Sequence, residues 1–447
     1  MRIAVIGAGP VGLVSGSALA WAGHDVRLVE IDATRADRIA AGEPPFHENG
    51  LETLLRDVIH ASRLRVTRRA EDAVPDADVV LICVGTPSRD DGADLTNLIA
   101  ASRDVGRALK GASGYRVVVV KSTVPPGTTT GLVEPVLREE SALTAADLDV
   151  AMNPEFLREG LAVDDMLHPD RIVIGVQSGR ARTTLEDVYR PFDAPIVVLT
   201  PTGAEMTKYA SNALLASLVS FSNEIASLCE AIPDADAVEV LRAVHADRRF
   251  RPPDGRPAAP STITTYLLPG LGYGGSCFPK DTLALSAWAR THGIGTPLLD
   301  AVRAINAQRP ERVLELLRSR LHLSGARVAV LGLAFKPGTD DLRESRSLDL
   351  VRLLHDAGAE VRACDPVAAT EAARLLDGVA QVGDDVDGAL CAADAAVLAT
   401  AWPVYVALDP EHVRSVMRRP LILDARRALD PVAWSAHCEY LPIGVKA

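Results

Sequence analysis

The chain of 447 residues carries a formal net charge of −12 at pH 7, and 48% of its residues are hydrophobic. Its length suffices for two or three domains with separate cores, and no apolar run approaches the ~18 residues of a membrane-spanning helix. The acidic balance argues against a nucleic-acid partner, because phosphate binding requires a basic face. We therefore expect a soluble globular protein with no membrane span, in which a few local cations could still hold an anionic small molecule.

The six cysteines stand singly in the sequence, with no CxxC pair, at positions 83, 229, 277, 364, 391 and 438. This spacing predicts neither a disulfide framework nor a metal site, and it favours a reducing, cytoplasmic location. The first residues, "MRIAVIG", already have the pattern of a strand. We therefore expect no secretory signal.

The first 200 residues alternate β-branched runs with helical patterns. The predicted strands are "IAVIG", "VRLVEI", "VVLICV", "RVVVVK", "RIVIG" and "IVVL", all expected to be buried, and helices are predicted at roughly 11–23, 50–60 and 95–110. This alternation is typical of a doubly wound, mostly parallel α/β domain.

The segment "GAGPVG", residues 7–12, follows the first strand and opens a helix. Its glycines permit a tight turn, close approach of a pyrophosphate and close helix–strand packing, as in a Rossmann domain. Glu30 ends the second strand, where a carboxylate would bond the adenine ribose and repel a 2′-phosphate, so the sequence favours NAD over NADP; the nearby Arg35 weakens this preference. The predicted cofactor contacts here are Gly7, Gly9, Pro10, Val11, Gly12, Glu30 and Arg35.

Beyond residue 200 the pattern changes to a long helix over residues 202–232, with apolar residues on much of its circumference, which favours burial between domains or subunits. A Pro- and Arg-rich loop follows at residues 247–262. The runs "RVAVLG", "EVRACD", "AAVLAT" and "LILD" then indicate a second, smaller parallel sheet. We predict an α/β fold of two Rossmann-like doubly wound parallel-sheet domains joined by a long central helix, with an NAD-binding domain at 1–200, a central helical region at 201–322 and a C-terminal α/β domain at 323–447.

A single thiol lies in "GYGGSCFPKD", residues 272–281. Cys277 follows a glycine-rich turn and precedes Pro279, a favoured first residue of a helix. The helix dipole and Lys280 would stabilise a thiolate there, while Asp281 would complement the dipole from the first turn. The alternative is an inert core cysteine, but the glycine-rich approach favours a reactive thiol.

Three other segments contain polar groups typical of a site. Lys208 and Asn212 are four residues apart on the long helix and share a face, although a structural ion pair would also explain a lysine there. Glu155 and Glu159 in "NPEFLREG" follow a strand, but could be solvated loop carboxylates. Thr123 in "KSTVPPGTT" ends a strand at the carboxyl edge, where open α/β sheets bind ligands; it could instead cap the next helix.

With these segments assembled, the chain resembles the UDP-glucose/GDP-mannose dehydrogenase family from end to end. The matching stretches are "GAGPVG", "VGTPS", "KSTVPPGTT", "NPEFLREG", "KYASN", "GYGGSCFPKD" and "LGLAFKPGTDDLRESRS". The resemblance implies NAD-dependent oxidation of a primary alcohol at sugar C6 to a carboxylate, in two steps with two NAD. The sequence of the loop that contains Cys277 is most similar to that of members that act on UDP-glucose. The same chemistry on dTDP-glucose or GDP-mannose is the alternative.

The resemblance also implies how the site residues act. Cys277 would capture the aldehyde as a thiohemiacetal, which the second hydride transfer converts to a thioester. Lys208 and Asn212 would stabilise the developing alkoxide, with Lys208 as an alternative base. Asp281 and a water held by Thr123 would handle the proton. Glu155 would assist hydrolysis of the thioester.

The remaining contacts are also implied by the resemblance. Those to the cofactor are Val84, Gly85, Thr86, Pro87, Thr123, Glu159, Lys280 and Arg343. Those to the nucleotide sugar are Glu155, Phe156, Leu157, Glu159, Lys208, Asn212, Tyr266, Leu267, Gly270, Gly272, Lys336 and Arg426, with Arg427 as an alternative to Arg426. The C-terminal domain would bind the nucleotide sugar.

The family pairs through the long helix, so the resemblance implies a homodimer. A partner arginine would complete the site, and Arg248, Arg249, Arg251 and Arg256 compete for this role in an apparently lengthened loop. Two other functions remain open on the residues alone. A single-step, lysine-dependent dehydrogenase of the hydroxyacid type would leave Cys277 and the second α/β domain unexplained. A non-catalytic nucleotide-sugar binder would leave every candidate catalytic residue without a role.

Overall fold

A computed structural model describes residues 1–89, 92–247 and 267–446. The chain divides into two compact units. The amino-terminal unit comprises Met1–Ser211 with Leu283–Gly293, and the carboxy-terminal unit comprises Asn212–Thr282 with Ile294–Ala447. Among the described helices, none combines the length and the apolar character that crossing a bilayer would require.

Ten strands and seven complete helices belong to the amino-terminal unit in the described residues. The strands are β1 (Arg2–Ile6), β2 (Asp25–Val29), β3 (Leu64–Thr67), β4 (Val79–Ile82), β5 (Ser88–Arg89), β6 (Gly92–Ala93), β7 (Arg116–Val120), β8 (Leu148–Met152), β9 (Ile172–Gly175) and β10 (Ile196–Leu199). The helices are α1 (Pro10–Trp21), α2 (Ala33–Ala40), α3 (Leu51–His60), α4 (Thr96–Leu109), α5 (Glu134–Ser141), α6 (Ala162–Leu167) and α7 (Gly179–Tyr189).

Eight of these strands form one sheet in the order β10-β9-β8-β7-β4-β1-β2-β3. From β3 to β8 the neighbours are parallel, whereas β9 meets β8 in antiparallel fashion at Gly175 and Met152. Successive side chains of β1 enter cores on opposite faces of the sheet, Val5 on one and Ala4 on the other. Both faces are therefore covered, as a doubly wound sheet requires.

The predicted strand "IVVL" forms as β10, but it is not fully buried. It is the edge strand of the sheet, and its Val197 is 39% exposed. An edge strand has a neighbour on one side only, so its apolar residues are less covered than those of β1 or β4. The short strand β3 and the hairpin β5–β6 were absent from the sequence prediction.

The carboxy-terminal unit contains the second sheet and the long helix α11. The helices from residue 201 onward are α8 (Pro201–Cys229), α9 (Ala237–His245), α10 (Phe278–Thr291), α11 (Pro297–Arg318), α12 (Arg346–Asp356), α13 (Ala369–Leu375), α14 (Val386–Leu390), α15 (Pro403–Val406), α16 (Pro410–Val416) and α17 (Pro431–His437). The strands are β11 (Arg327–Leu331), β12 (Glu360–Cys364), β13 (Gln381–Gly383), β14 (Ala395–Leu398), β15 (Leu421–Asp424) and β16 (Glu439–Pro442). Along the chain, α8 and α10 each begin in one unit and end in the other.

The second sheet has the order β13-β12-β11-β14-β15-β16 and is parallel throughout. Both sheets thus contain the Rossmann order 3-2-1-4-5-6, and in each the order reverses beside the first strand, where such sheets bind ligands. Leu271 and the α11 residues Val313 and Leu317 pack in the same core as this sheet. The predicted fold of two doubly wound domains joined by a long helix is confirmed.

Candidate active site

The turn after β1 has space for a dinucleotide phosphate. Gly7 has φ +95°, and a Cβ on Gly12 would lie 1.9 Å from the Gly7 carbonyl oxygen, so both positions need glycine. A Cβ on Gly9, in contrast, would meet no described atom within 4 Å. Gly9 caps α1 without a side-chain hydrogen bond, which leaves the first N–H groups of the helix available to an anion. The glycine pattern therefore fits a bound pyrophosphate.

Glu30 and Arg35 lie beside this turn. Glu30 is 8% exposed and its Oε2 lies 3.6 Å from Arg35 Nε. Arg35 Nη2 donates to the Ala8 carbonyl oxygen at 3.1 Å. The cation that could attract a 2′-phosphate is therefore already paired with a carboxylate, which agrees with a preference for NAD.

The loops after β4 and β7 are tied together at the carboxyl edge of the sheet. Thr86 Oγ1 donates to the Thr123 carbonyl oxygen at 2.7 Å, and Ser122 Oγ donates to the Val84 carbonyl oxygen at 2.7 Å. The predicted cofactor segment Val84–Pro87 and the predicted water-holding Thr123 are therefore neighbours.

Lys208 and Glu155 form a buried ion pair. Lys208 Nζ lies 2.8 Å from Glu155 Oε1, and the two side chains are 4% and 9% exposed. Burial alone would raise the pKa of Glu155, but the Lys208 ammonium and an N–H bond from Leu157 hold it below its ordinary value. Lys208 Nζ also lies 5.5 Å from the centroid of the Phe156 ring. Glu155 is thus an ionised carboxylate in contact with a cation, not a solvated loop residue.

Lys121 is a buried cation that the sequence analysis did not single out. It is 3% exposed, and its Nζ donates to Asn153 Oδ1 at 2.8 Å. Burial lowers its pKa despite the nearby Cys83 and Glu155. The signal was its place at the end of the buried run "VVVVK", because a lysine there requires a partner.

The loop that contains Glu159 is held at its end by Glu48, which the sequence analysis also missed. Glu48 accepts from the Gly160 and Ala162 N–H groups at 2.8 and 2.9 Å. Glu159 itself is partly exposed on this loop, next to the Arg158–Asp165 ion pair.

In the carboxy-terminal unit, Cys277 immediately precedes α10 and its carbonyl oxygen accepts from the Asp281 N–H at 2.8 Å. Cys277 therefore lies at the start of a helix, as the sequence predicted, although the helix begins at Phe278 and not at Pro279. All six cysteines are free; Cys277 is partly exposed and Cys391 is exposed. Burial raises the pKa of Cys83 and Cys364 to about 12, so those thiols stay protonated at neutral pH.

The carboxylate of Asp281 lies at the centre of a buried polar cluster. It is 1% exposed and accepts from Asn212 Nδ2 and Lys280 Nζ, both at 2.5 Å. Its position is more than a complement to the helix dipole, because two side chains converge on it. The structure thus brings together Asn212, Lys280 and Asp281 in one unit, and Lys208 and Glu155 in the other.

The loop at residues 267–272 is fixed by three polar side chains that the sequence analysis missed. Asn223 Oδ1 accepts from the Gly270 N–H at 2.8 Å, and Arg309 Nε donates to the Gly270 carbonyl oxygen at 3.0 Å. Gly272 has φ +106°, and a Cβ there would lie 2.5 Å from Asn306 Oδ1. Leu267 is buried. The predicted contacts Tyr266, Arg248, Arg249, Arg251 and Arg256 lie outside the described residues.

The geometry separates the two arginines that the sequence left as alternatives. Arg427 Nη2 bonds Asp236 Oδ2 at 2.7 Å, and its side chain is 7% exposed. Arg426 donates from Nη1 to the Gly272 carbonyl oxygen at 3.3 Å and from Nη2 to that of Phe335 at 3.5 Å. Arg426 therefore borders both predicted substrate loops, while Arg427 is occupied in an ion pair.

Lys336 and Arg343 lie on the loop after β11. Lys336 Nζ lies 5.6 Å from the centroid of the Phe335 ring. Arg343 donates to both carboxylate oxygens of Asp341, at 2.8 and 2.7 Å, and its side chain is 65% exposed.

Three family models match successive parts of the chain. Residues 1–193 match the NAD binding domain of the UDP-glucose/GDP-mannose dehydrogenase family, residues 202–308 its central domain, and residues 329–431 its UDP binding domain. The chain belongs to the UDP-glucose/GDP-mannose dehydrogenase family. It is an NAD-dependent nucleotide-sugar dehydrogenase, which confirms the predicted family, enzyme class and cofactor.

Individual relatives match over nearly the whole length. The UDP-glucose 6-dehydrogenase AglM of Haloferax volcanii is 43% identical over 434 residues, covering 96% of this chain and 97% of the relative. The UDP-glucose 6-dehydrogenase of Rhizobium meliloti is 42% identical over 435 residues, covering 95% of each chain. A UDP-glucose dehydrogenase structure from Pyrobaculum islandicum superposes with a TM-score of 0.89 at 40% identity, covering 100% of this chain and 98% of the other.

Proposed function

We propose that this enzyme oxidises C6 of UDP-glucose to the carboxylate of UDP-glucuronate, through a covalent intermediate on Cys277. The substrate is that named for relatives about 42% identical to this chain. The observation that carries the proposal is the partly exposed Cys277 thiol at the N-cap of α10, one helical turn from the buried Asp281. When bound, NAD accepts a hydride in each of the two oxidation steps.

The first oxidation requires removal of the proton of the C6 hydroxyl and stabilisation of the alkoxide that forms. The Lys208 ammonium and the Asn212 amide donate to the developing negative charge, and Lys208 also has the chemistry of an alternative base. Asp281, through a water held by Thr123, takes the proton. The support is that Asp281 is a buried carboxylate with two donors already in place.

The second oxidation and the hydrolysis take place on the thiol. Cys277 adds to the aldehyde carbon to give a thiohemiacetal, and loss of a hydride and the hydroxyl proton leaves a thioester. Water attacks the thioester carbon, and the C–S bond breaks to release the carboxylate and the thiol. Glu155 takes the proton from this water. The buried contact with Lys208 Nζ supports that role, because it holds Glu155 in place as an ionised carboxylate.

Binding of the two ligands is assigned to the remaining predicted residues. Val84–Pro87, Glu159, Lys280 and Arg343 border the cofactor in this proposal, together with the glycine turn, Glu30 and Arg35. The nucleotide sugar contacts Phe156, Leu157, Tyr266, Leu267, Gly270, Gly272, Lys336 and Arg426. Arg426 is preferred to Arg427 as the substrate contact because Arg427 forms an ion pair with Asp236.

The same proposal includes the assembly, organisation and location of the protein. Leu214, Phe221 and Leu228 recur every seven residues on α8 and are 59%, 46% and 57% exposed, which supports a homodimer paired along this helix. The family-model matches at residues 1–193, 202–308 and 329–431 support the proposed division at residues 1–200, 201–322 and 323–447. Six free cysteines support a cytoplasmic location.

Replacing Cys277 by serine tests the function. Cys277→Ser removes the nucleophile, and we expect kcat with UDP-glucose to fall roughly 10³-fold or more. Cys391→Ser, at the exposed thiol, is the matched control and should keep wild-type turnover. A Cys277→Ser enzyme with full turnover would instead indicate a single-step dehydrogenase.

A further inference from the structure

The thiol loop packs directly on the backbone of the UDP binding domain. A Cβ on Gly274 would lie 2.4 Å from the Glu344 carbonyl oxygen, and a Cβ on Gly275 would lie 2.7 Å from Phe335 Cζ. The Gly275 N–H donates to the Arg343 carbonyl oxygen at 2.9 Å. Two glycines are therefore needed here because no side chain fits between the loop of Cys277 and residues 335–344.

The side chain that lies against the two glycines is the ring of Phe335. Three of its ring atoms lie 2.7 to 2.9 Å from the Cβ position of Gly275, which has φ +79° and cannot accept an L side chain without strain. Phe335 also lies 3.0 Å, through its own Cβ, from the Cβ position of Gly274. Phe335 therefore packs closely against the two residues that lead into Ser276 and Cys277.

Phe335 also lies beside two of the predicted nucleotide contacts, Lys336 and Arg426. Its carbonyl oxygen accepts from Arg426, which also bonds the Gly272 carbonyl oxygen, and Lys336 follows it in the chain and lies over its ring. Phe335, Lys336 and Arg426 all fall within residues 329–431, the match to the UDP binding domain. One aromatic residue thus contacts Lys336 and Arg426, which are predicted to bind the nucleotide, and also the loop that contains Cys277.

The segment that bears on Gly274 is itself strained. Glu344 has φ +51°, a left-handed conformation that a non-glycine residue adopts only when its surroundings fix it. The buried hydroxyl of Ser345 donates to the Leu333 carbonyl oxygen at 2.6 Å, which anchors this turn to the end of β11. The turn that packs against Gly274 is therefore anchored to the segment that follows β11.

We propose that Phe335 is a positioning residue that couples nucleotide binding at Lys336 and Arg426 to the placement of the Cys277 thiol. A nucleoside diphosphate held by Lys336 and Arg426 fixes Phe335, and Phe335 in turn fixes Gly274 and Gly275 below the thiol. Binding of a nucleotide thereby restricts the positions that the thiol can adopt. The proposal rests on the proposed function, since it takes Cys277 as the nucleophile.

Alkylation of Cys277 by iodoacetamide, measured by peptide mass spectrometry with and without UDP, tests the coupling. UDP lacks the sugar and supports no turnover, and the exposed Cys391 serves as an internal reference. In the wild type we expect saturating UDP to slow alkylation of Cys277 at least about fivefold, and to leave Cys391 unchanged. Phe335→Leu should still bind UDP by calorimetry but lose the response.

Phe192→Leu, at a buried phenylalanine of the amino-terminal unit, is the matched control and should respond like the wild type. Gly275→Ala alters the same contact from the thiol loop and should also lose the response. Protection that persists in Phe335→Leu would mean that UDP shields the thiol directly, and would overturn the coupling. UDP that binds the wild type without slowing alkylation would overturn the coupling and leave the function standing. A wild type that binds no UDP would overturn the proposed function and the coupling together.

Discussion

Lys208 and Glu155 neutralise each other in a site where only one of them can be needed at a time. Their contact at 2.8 Å is almost fully buried, so removing one partner leaves an unpaired charge. In the proposed reaction Lys208 turns to the alkoxide, and Glu155 is then the nearby carboxylate with a proton-accepting role. The ion pair can therefore hold Glu155, the base of the final hydrolysis, in place during the first oxidation.

Glu155→Gln should separate oxidation from hydrolysis. Glutamine cannot accept the proton of the attacking water, so we expect the steady-state rate to fall about 10²-fold. The first turnover should still release NADH as a burst, and peptide mass spectrometry should find an acyl adduct on Cys277. Glu52→Gln, at an exposed glutamate, should behave like the wild type. Loss of the burst together with the steady-state rate would assign Glu155 to an earlier step.

At the residue level, the sequence could predict the position of the thiol but not the residues that pack against its loop. The run "GYGGSCFPKD" is local, so Cys277 at a helix start follows from spacing alone. The atoms that require glycine at 274 and 275 belong to Phe335 and Glu344, about sixty or seventy residues along the chain. Arg426 and Arg427 are adjacent, and only their partners in the folded chain distinguish them.

At the scale of elements, Glu205 joins the loop that follows β7 to the helix α8. It is 1% exposed, and it accepts from the Gly127 N–H at 2.5 Å and the Thr129 N–H at 2.7 Å. Glu205 precedes Lys208 by less than one helical turn, and Gly127 follows Thr123 in the same loop. The Glu205 carboxylate thus fixes the position of the loop that contains Thr123, the proposed water site, relative to Lys208, which stabilises the proposed alkoxide.

Stability should depend on pH through Glu205. Burial raises its pKa, although the two N–H bonds act in the opposite direction. A carboxyl group with a raised pKa in the folded state contributes stability below its unfolded pKa of about 4.3, and this contribution is lost as the pH rises through the folded pKa. We therefore expect the unfolding temperature of the wild type, measured relative to Glu205→Gln, to be higher near pH 5 than near pH 8. A constant or inverted difference would contradict the raised pKa.

The sequence predicted the longer strands and three helices of the first domain because their apolar patterns are strong, but it did not predict the helices α2, α5, α6 and α7. The helices α1, α3 and α4 lie where the periodicity placed them, whereas β3 and the hairpin β5–β6 are too short to leave a pattern. The exposure of β10 follows from its place at the sheet edge. Such a place depends on strand order, which spacing along the chain does not contain.

At the scale of the whole molecule, the exposed apolar stripe of α8 requires a partner in the proposed function. Leu214→Asp places a charge at the first position of that stripe, and burying it unpaired is costly. We expect the dimer to dissociate, as measured by light scattering during gel filtration. Leu375→Asp, at a leucine of α13 that is 47% exposed, should leave the mass unchanged. A Leu214→Asp protein with wild-type mass would exclude pairing along this face.

The stoichiometry of the reaction is the most direct test of the account. A limiting amount of UDP-glucose is converted to completion with excess NAD, and NADH and sugar product are counted together. Capture of the aldehyde on Cys277 predicts two NADH for every sugar consumed, with UDP-glucuronate as the product and no free aldehyde. One NADH per sugar, with an aldehyde or its hydrate in solution, would contradict the covalent role of Cys277.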